Sequence, residues 1–330
     1  MVKGKGPNVP AEKTETVKGE ALNLADQTEH PEVSVVIPCY NARNTLGKTL
    51  EAVRNQTAAF PYEVIVIDSS DDGTTELIRK NFPEVTLHHL DKKTLPGSGR
   101  NLGILKARAG IVAFTDSDCV PGPDWLQRIH DRHRELGCEA VGGSVVNGYP
   151  KSYTAWVSHL IEFNEWTEKS PEGFVQNIPT CNISYRRDLF QKLRVEFTDN
   201  FPTEDTILNW HITSKGGRIY FDPAICVVHL NRMQFRKLFS HQYRMGRAVA
   251  VERQITNLPG RILLKYRFLC LGIPLVRWML ALRRLARIDL KQTLIFLWIT
   301  PLFLAAAAAW SLGFMTRGRA RDAEIRIHET

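Results

Sequence analysis

Two carboxylates one residue apart, Asp116 and Asp118, follow directly on the run Gly110-Ile111-Val112-Ala113-Phe114-Thr115. Just past a buried strand, such a pair cannot be the solvated face of that strand. Carboxylate oxygens suit Mg²⁺ or Mn²⁺, hard cations that also bridge to phosphate oxygens. A second acidic pair, Glu204-Asp205, stands between Phe201-Pro202-Thr203 and the apolar Ile207, Leu208 and Trp210. That pattern reads as a helix start with Thr203 as N-cap, where first-turn acids complement the helix dipole. His229 ends the run Ile225-Cys226-Val227-Val228, a place where a lone histidine serves either structure or a metal. His88, His89, His130 and His133 have no comparable setting and are expected to face solvent.

Short β-branched runs that are apolar on both faces must position these groups. Val33-Ser34-Val35-Val36-Ile37-Pro38 comes first, then a helical stretch over Asn44–Asn55 and a second run, Glu63–Asp68. Helices are expected over Thr74–Asn81 and Arg100–Ala109, with strands over Val85–Leu90 and Gly110–Asp116. Doubly apolar strands alternating with short helices imply a Rossmann-like, mostly parallel α/β sheet flanked by helices. Ligands of such sheets sit beyond the carboxyl ends of the strands. Three strands end there in polar clusters: Pro38-Cys39-Tyr40-Asn41, Asp68-Ser69-Ser70-Asp71-Asp72-Gly73-Thr74, and Thr115-Asp116-Ser117-Asp118. Asn and Asp are also ordinary turn and cap residues. Three clusters on one edge, two of them with acidic pairs, favour a site.

Taken in order with Gly99-Arg100-Asn101-Leu102-Gly103, these segments resemble family 2 glycosyltransferases of the GT-A fold, from about residue 32 to 250. The resemblance implies inverting transfer of a sugar from a UDP- or GDP-linked donor to a hydroxyl, assisted by Mn²⁺ or Mg²⁺. It places Pro38, Tyr40, Asn41, Asp68 and Arg100 in the nucleotide pocket, Asp116 by the ribose or metal, and Asp118 on the metal, with His229 completing the metal site. It makes Asp205 the base and Glu204 an acceptor contact or pocket support. Asn182, in Thr180-Cys181-Asn182-Ile183, then touches the donor sugar, unless it is a strand-end amide. Arg244, in Gln242-Tyr243-Arg244-Met245-Gly246-Arg247, is similar to a stretch that contacts the diphosphate. That segment lacks the Trp of the QxxRW motif of processive synthases. Cys39 and Ser69-Ser70 depart from the commoner family residues without touching this chemistry. The chemistry itself is plain: a departing diphosphate gains negative charge that a cation stabilises, and a neutral hydroxyl needs a base.

The chain has 330 residues, a net charge of +8, 43% apolar and 24% charged residues. That is ordinary globular composition and excludes a collagen-like, wholly disordered or disulfide-stapled fold. The six cysteines show no CxxC spacing and read as free thiols of a reducing compartment. Residues 1–31, poor in large apolar groups, are expected to be disordered and carry no apolar signal core. Between Arg261 and Arg321 stand eleven basic residues and one acid, so the positive excess is C-terminal. No nucleic-acid-binding module accompanies it, and an anionic lipid surface fits better. Gln292–Thr316 is 25 residues without a charge, long enough to cross a bilayer as one span or part of a hairpin. Ile262–Leu282, interrupted by Lys265, Arg267 and Arg277, suits a first span or an amphipathic interfacial helix. The expected organisation is a catalytic domain over 32–250 and membrane-associated helices with a basic tail over 251–330. The expected location is the inner membrane with the catalytic domain cytoplasmic, and the acceptor a lipid-linked or envelope glycan. The alternative is a non-catalytic nucleotide-sugar-binding subunit of a polysaccharide assembly complex. Such a subunit tends to lose a carboxylate, and here all four are present.

Overall fold

The computed structural model describes residues 30–200, 202–231 and 233–316. The expected disordered lead-in up to residue 29 and the basic Arg317, Arg319 and Arg321 lie outside the described residues. A nine-stranded mixed sheet organises the chain. Its first half is β1 (Val33–Cys39), α1 (Leu46–Arg54), β2 (Tyr62–Asp68), α2 (Thr74–Asn81), β3 (Thr86–His89), α3 (Pro96–Lys106) and β4 (Ile111–Phe114). These four strands run parallel in the order β3-β2-β1-β4. Every residue of β2 is buried, as is all of β1 except Pro38. Doubly apolar strands can do nothing else in water.

The helix carrying Arg100 begins at Pro96, four residues earlier than the sequence suggests. Proline at the first helical position costs no hydrogen bond and pre-sets the backbone. Its glycines bring it against the sheet: a Cβ on Gly103 would lie 2.2 Å from Val36 Cγ1. No larger residue fits there, and the close approach carries Arg100 to the carboxyl edge of β1 and β4.

Beyond residue 118 the chain supplies β5 (Cys119–Pro121), α4 (Trp125–Leu136), β6 (Ala140–Asn147), α5 (Tyr153–Phe163), β7 (Gly173–Val175), β8 (Ile183–Arg186), α6 (Leu189–Lys192), α7 (Glu204–Ser214) and β9 (Ile219–His229). Here the sheet becomes mixed: β8 is antiparallel to β4 and β6, β9 is parallel to β6, and β5 and β7 are antiparallel to β9.

Three longer helices follow: α8 (Phe235–Ile255), α9 (Ile273–Ile288) and α10 (Leu290–Met315). Helix α8 runs without a break across residue 250. One helix, α10, is long and apolar enough to cross a membrane, yet one side of it is packed on the domain. Phe296, Ile299, Phe303, Ala306 and Ala307 are buried with Val157 and Leu160 of α5 and Leu238 of α8. Two glycines let the backbones of α8 and α10 touch: a Cβ on Gly246 would meet Trp310 O at 1.9 Å, and one on Gly313 would meet Tyr243 O at 2.0 Å. Small residues permit such close helix approach. The apolar run is therefore partly a domain-covering helix, which its uncharged composition alone did not reveal.

Candidate functional site

Arg100 is the hub of the carboxyl edge. Its side chain is almost wholly buried, with Nη1 donating to Glu204 Oε1 at 2.7 Å and Nη2 donating to Asp116 Oδ1 at 2.8 Å. The three residues come from three separate elements: α3, the loop after β4, and the first turn of α7. Asp116 and Glu204 hold the guanidinium charged despite its burial. Burial is also the main influence on Glu204, pushing its carboxyl up to about 7 against the pull of Arg100.

Replacement of Arg100 by Met should therefore destabilise the protein by about 3–5 kcal/mol, because Glu204 is left buried without its counter-charge. The sign with pH follows from the raised value. A carboxyl that binds its proton more tightly folded than unfolded contributes most at low pH and loses that contribution as pH rises through about 7. The Arg100→Met loss should thus be larger at alkaline than at acid pH in urea unfolding. An equal loss at both would show that Glu204 is not the group left stranded.

Asp205, beside Glu204, is partly accessible. Its Oδ1 accepts from Thr206 N at 2.7 Å and its Oδ2 from Thr180 N at 3.3 Å. Burial raises its carboxyl above the ordinary aspartate value, while Arg100 pulls the other way. Thr203 precedes α7, but its hydroxyl donates to Asn200 O rather than capping the helix.

Asp118 meets His229 because β5 pairs antiparallel with β9, with Cys119 opposite His229, and because Leu230 N donates to Asp118 O at 2.8 Å. His229 Nε2 lies 3.8 Å from Asp118 Oδ1, and the buried Nδ1 has no hydrogen-bond partner. One ion bonded to both groups at about 2.1 Å spans up to about 4.2 Å, so a single cation reaches both. The donor cluster found among the described residues is Asp118, Cys119 and His229. A thiolate is a soft ligand, so the carboxylate of Asp118 and the imidazole of His229 are the members of this cluster that suit Mn²⁺ or Mg²⁺. Asp116, expected by the ribose or metal, stands outside this cluster because one of its oxygens is committed to Arg100.

Two cavities flank this edge. The first, about 480 Å³, is lined by Pro38, Tyr40, Ser69, Lys93, Asp118 and Arg244, among others. The second, about 390 Å³, is lined by Thr180, Glu204, Asp205, Gln242, Arg277 and Trp310, among others. Arg100, Asp116 and His229 line both. A larger cavity, about 930 Å³, opens at the opposite end of β1 and β4, beside Glu32, Gly110 and Arg187. It holds none of the expected site residues.

The structure brings Pro38, Tyr40, Arg100, Asp116, Asp118, His229 and Arg244 together around the first cavity, and Glu204 and Asp205 into the second. Three other expected residues are placed differently. Asp68 is buried beneath the first cavity and receives Ser70 N, Ser70 Oγ and Thr75 Oγ1, so it shapes the loop instead of facing the pocket. Asn41, at φ +52°, accepts from Asp71 N and ties the first loop to the second. Asn182 is fully buried, accepting from Trp125 Nε1 and donating to Ser144 O and Ile225 O. Its amide is the strand-end residue of the alternative reading.

Of the four histidines expected to face solvent, His89 is exposed and His88 half-buried, while the other two differ. His133 and His130 are buried, the former 2.9 Å from Ser184 Oγ and the latter against the Phe60 ring. His89 Nδ1 lies 3.1 Å from Asp68 Oδ2. The apolar face of α4 turns His130 and His133 inward, a periodicity legible in Leu126, Ile129 and His133. Lys93, 4.2 Å above the Tyr40 ring, and the second-cavity residues Arg277 and Trp310 carried no signal that local pattern could find. They reach the site only through the packing of loops and C-terminal helices.

Residues 34–194 match the Glycosyl transferase family 2 domain. The chain is 31% identical over 229 residues to the glycosyltransferase AglE of Haloferax volcanii, spanning 66% of this chain and 72% of that protein. It is 24% identical over 229 residues to the pre-mycofactocin glycosyltransferase of Mycobacterium tuberculosis, spanning 67% of this chain and 47% of that protein. It is 23% identical over 237 residues to a dolichyl N-acetyl-alpha-D-glucosaminyl phosphate 3-beta-D-2,3-diacetamido-2,3-dideoxy-beta-D-glucuronosyltransferase of Methanococcus voltae, spanning 66% of this chain and 72% of that protein. Among solved structures, the fold is shared with the mannosyltransferase PcManGT of Pyrobaculum calidifontis in complex with GDP-Man and Mn²⁺. That match has a TM-score of 0.54 at 22% identity and covers 89% of this chain and 91% of that one.

Proposed function

We propose the following reaction for this chain, which belongs to glycosyl transferase family 2 and is a glycosyltransferase: inverting transfer of a sugar from a UDP- or GDP-linked donor to an acceptor hydroxyl, dependent on Mn²⁺ or Mg²⁺. The observation that carries this reading is the pair of cavities meeting at Arg100, Asp116 and His229, with Asp118 lining only the first and Asp205 only the second. The first then receives the nucleotide-sugar and the second the acceptor.

In the first cavity Pro38, Tyr40 and Ser69 border the nucleoside, and Lys93 and Arg244 offer cationic heads to phosphate. Asp118 and His229 are the residues that would hold the divalent cation. When bound there, such an ion supplies Lewis-acid stabilisation of the departing diphosphate. In the second cavity Asp205 takes the acceptor proton as the hydroxyl oxygen bonds to the anomeric carbon from the face opposite the leaving group. The electron pair of the broken carbon–oxygen bond departs with the nucleoside diphosphate. Glu204, locked to Arg100, fixes the first turn of α7 and so the position of Asp205. A raised carboxyl value suits the role, since a base works best with a value nearer the ambient pH. The neighbour PcManGT, solved with GDP-Man and Mn²⁺, supports the donor and metal classes.

A screen of purified protein against UDP-, GDP- and dTDP-sugars with Mn²⁺ or Mg²⁺ tests the reading. Metal-dependent nucleotide release from one donor class, with an inverted anomeric centre in the product, is expected. Release that is unaffected by EDTA, or a product of retained configuration, would overturn the mechanism.

On this proposal the chain works at the cytosolic face of the cell membrane, with a lipid-linked or envelope glycan as acceptor. Phe268, Leu271, Leu275, Met279 and Leu280 are exposed on the turn before α9 and on α9 itself, and Leu294, Leu297 and Trp298 on α10. Exposed Arg261, Lys265, Arg267, Arg283, Arg287 and Lys291 are interspersed with them. Apolar side chains rimmed by cations suit an interface with anionic lipid. The Methanococcus voltae relative, whose name specifies a dolichyl-linked phosphate substrate, supports the acceptor class.

The full chain should float with anionic vesicles through a high-salt wash. The double variant Phe268→Asp, Leu271→Asp should bind at least about tenfold more weakly and be released by salt, given about 1.5–3 kcal/mol for each large apolar side chain. Complete salt release of the wild type would reduce the association to electrostatics.

A further inference from the structure

The second cavity gathers buried polar atoms that nothing in the protein satisfies. Glu204 Oε2, His229 Nδ1, Gln242 Oε1 and Arg277 Nη1, all on residues lining it, have no hydrogen-bond partner. Buried polar groups are expensive to leave unmade, so such a set marks a place that a polar ligand completes. The most telling member is Arg277. It comes from α9, outside the matched family domain, and reaches the cavity by passing between α5 and α10. Its Nη2 donates to Ile161 O at 2.9 Å, and its guanidinium lies 5.3 Å from the centre of the Trp310 ring. The other arginines of the cavity are paired: Arg100 with Asp116 and Glu204, and Arg253 with Glu252. Among the described residues Arg277 has no carboxylate within ion-pair distance. Glu162 of the same cavity and Glu165, which pairs with Arg284 at 2.8 Å, favour its charge from beyond that distance. The exposed apolar side chains Phe268, Leu271, Leu275 and Leu280 lie on the same α9 segment and the turn before it.

We propose that Arg277 is the anchor for a phosphoryl group on the acceptor, so that the acceptor is a lipid phosphate whose apolar chain lies along the turn before α9 and α9 itself. This rests on the glycosyltransferase reading above and deepens it by naming what the second cavity takes. The guanidinium fork offers parallel N–H donors to phosphoryl oxygens, and Nη1 is free to supply one. The C-terminal helices are then part of the acceptor site as well as a membrane contact. The phosphoryl group takes no part in bond making; it fixes where the acceptor hydroxyl stands.

Two substitutions separate this role from a structural one. Arg277→Gln keeps an amide able to donate to Ile161 O but removes the charge, and Arg277→Lys keeps the charge without the fork. The acceptors are a monosaccharide linked through phosphate to a short polyprenyl chain and the same monosaccharide free. Wild type should prefer the phosphate-linked acceptor in kcat/KM. Arg277→Gln should lower that preference about tenfold or more, as loss of a charge-assisted hydrogen bond predicts, chiefly through KM, and Arg277→Lys should restore part of it. An equal fall for both acceptors, or an unchanged preference, overturns the proposal. Short polyprenyl phosphate should also quench tryptophan fluorescence in wild type and bind at least about tenfold more weakly to Arg277→Gln, with inorganic phosphate separating the free ion from the lipid. Equal binding by the two proteins overturns the subsite even if no donor is turned over. Absence of nucleotide release from every donor by wild type counts instead against the reaction.

Discussion

Asp205→Asn should lower sugar transfer by about 10²–10⁴ while donor affinity barely changes. The amide preserves size, and its oxygen can still accept from Thr206 N, the shorter of the two bonds, while only the long bond from Thr180 N is lost, so the first turn of α7 stays in place. What it cannot do is take the proton of the attacking hydroxyl. Because burial raises the Asp205 carboxyl above the ordinary aspartate value, the wild-type acid limb of kcat/KM should lie at higher pH than for an exposed aspartate. Activity should rise as pH passes upward through that value, since only the ionised form is a base. Steady-state rates across pH, together with a donor binding isotherm, check both statements. Collapse of donor binding in the variant would move Asp205 into the nucleotide pocket and remove it from proton transfer.

Asp118→Ala should abolish metal-dependent turnover and the metal's contribution to nucleotide binding, with the fold intact. The side chain is partly exposed, on a loop edge, and the backbone link that places it, Leu230 N to Asp118 O, does not need the carboxylate. His229 would remain as a lone imidazole, an insufficient site for a hard cation that prefers oxygen. Titration of Mn²⁺ into the two proteins, followed by nucleotide release with and without EDTA, measures the effect. Full activity in Asp118→Ala would exclude this carboxylate from the metal site.

The two predictions differ in how visible their residues were. Asp118 stands out because a carboxylate pair closing a β-branched strand conflicts with simple burial, and that conflict is local. Asp205 stands out less, since first-turn acids suit any helix; only the company of the other motifs gave it a catalytic meaning. Asn182 and Asp68 line neither cavity, which their local sequence did not show for one shared reason. A polar residue at a strand end reads the same whether it points into a pocket or bonds its own neighbours. The C-terminal helix was legible as apolar, but the glycine contacts between α8 and α10 depend on two helices meeting.

The succession of strands and helices up to β4, the polar loops at the strand ends and the four carboxylates follow from the sequence alone, because burial on both faces and local turn chemistry act over a few residues. Tertiary structure alone decided that Arg100 would bind Asp116 and Glu204 together, and that Asp118 would face His229. It also decided that α9 and α10 would wall the second cavity. Each of those pairings joins residues far apart in sequence. Their geometry depends on strand register, helix close approach and the need of a buried charge for a partner, none of which a short stretch of chain encodes.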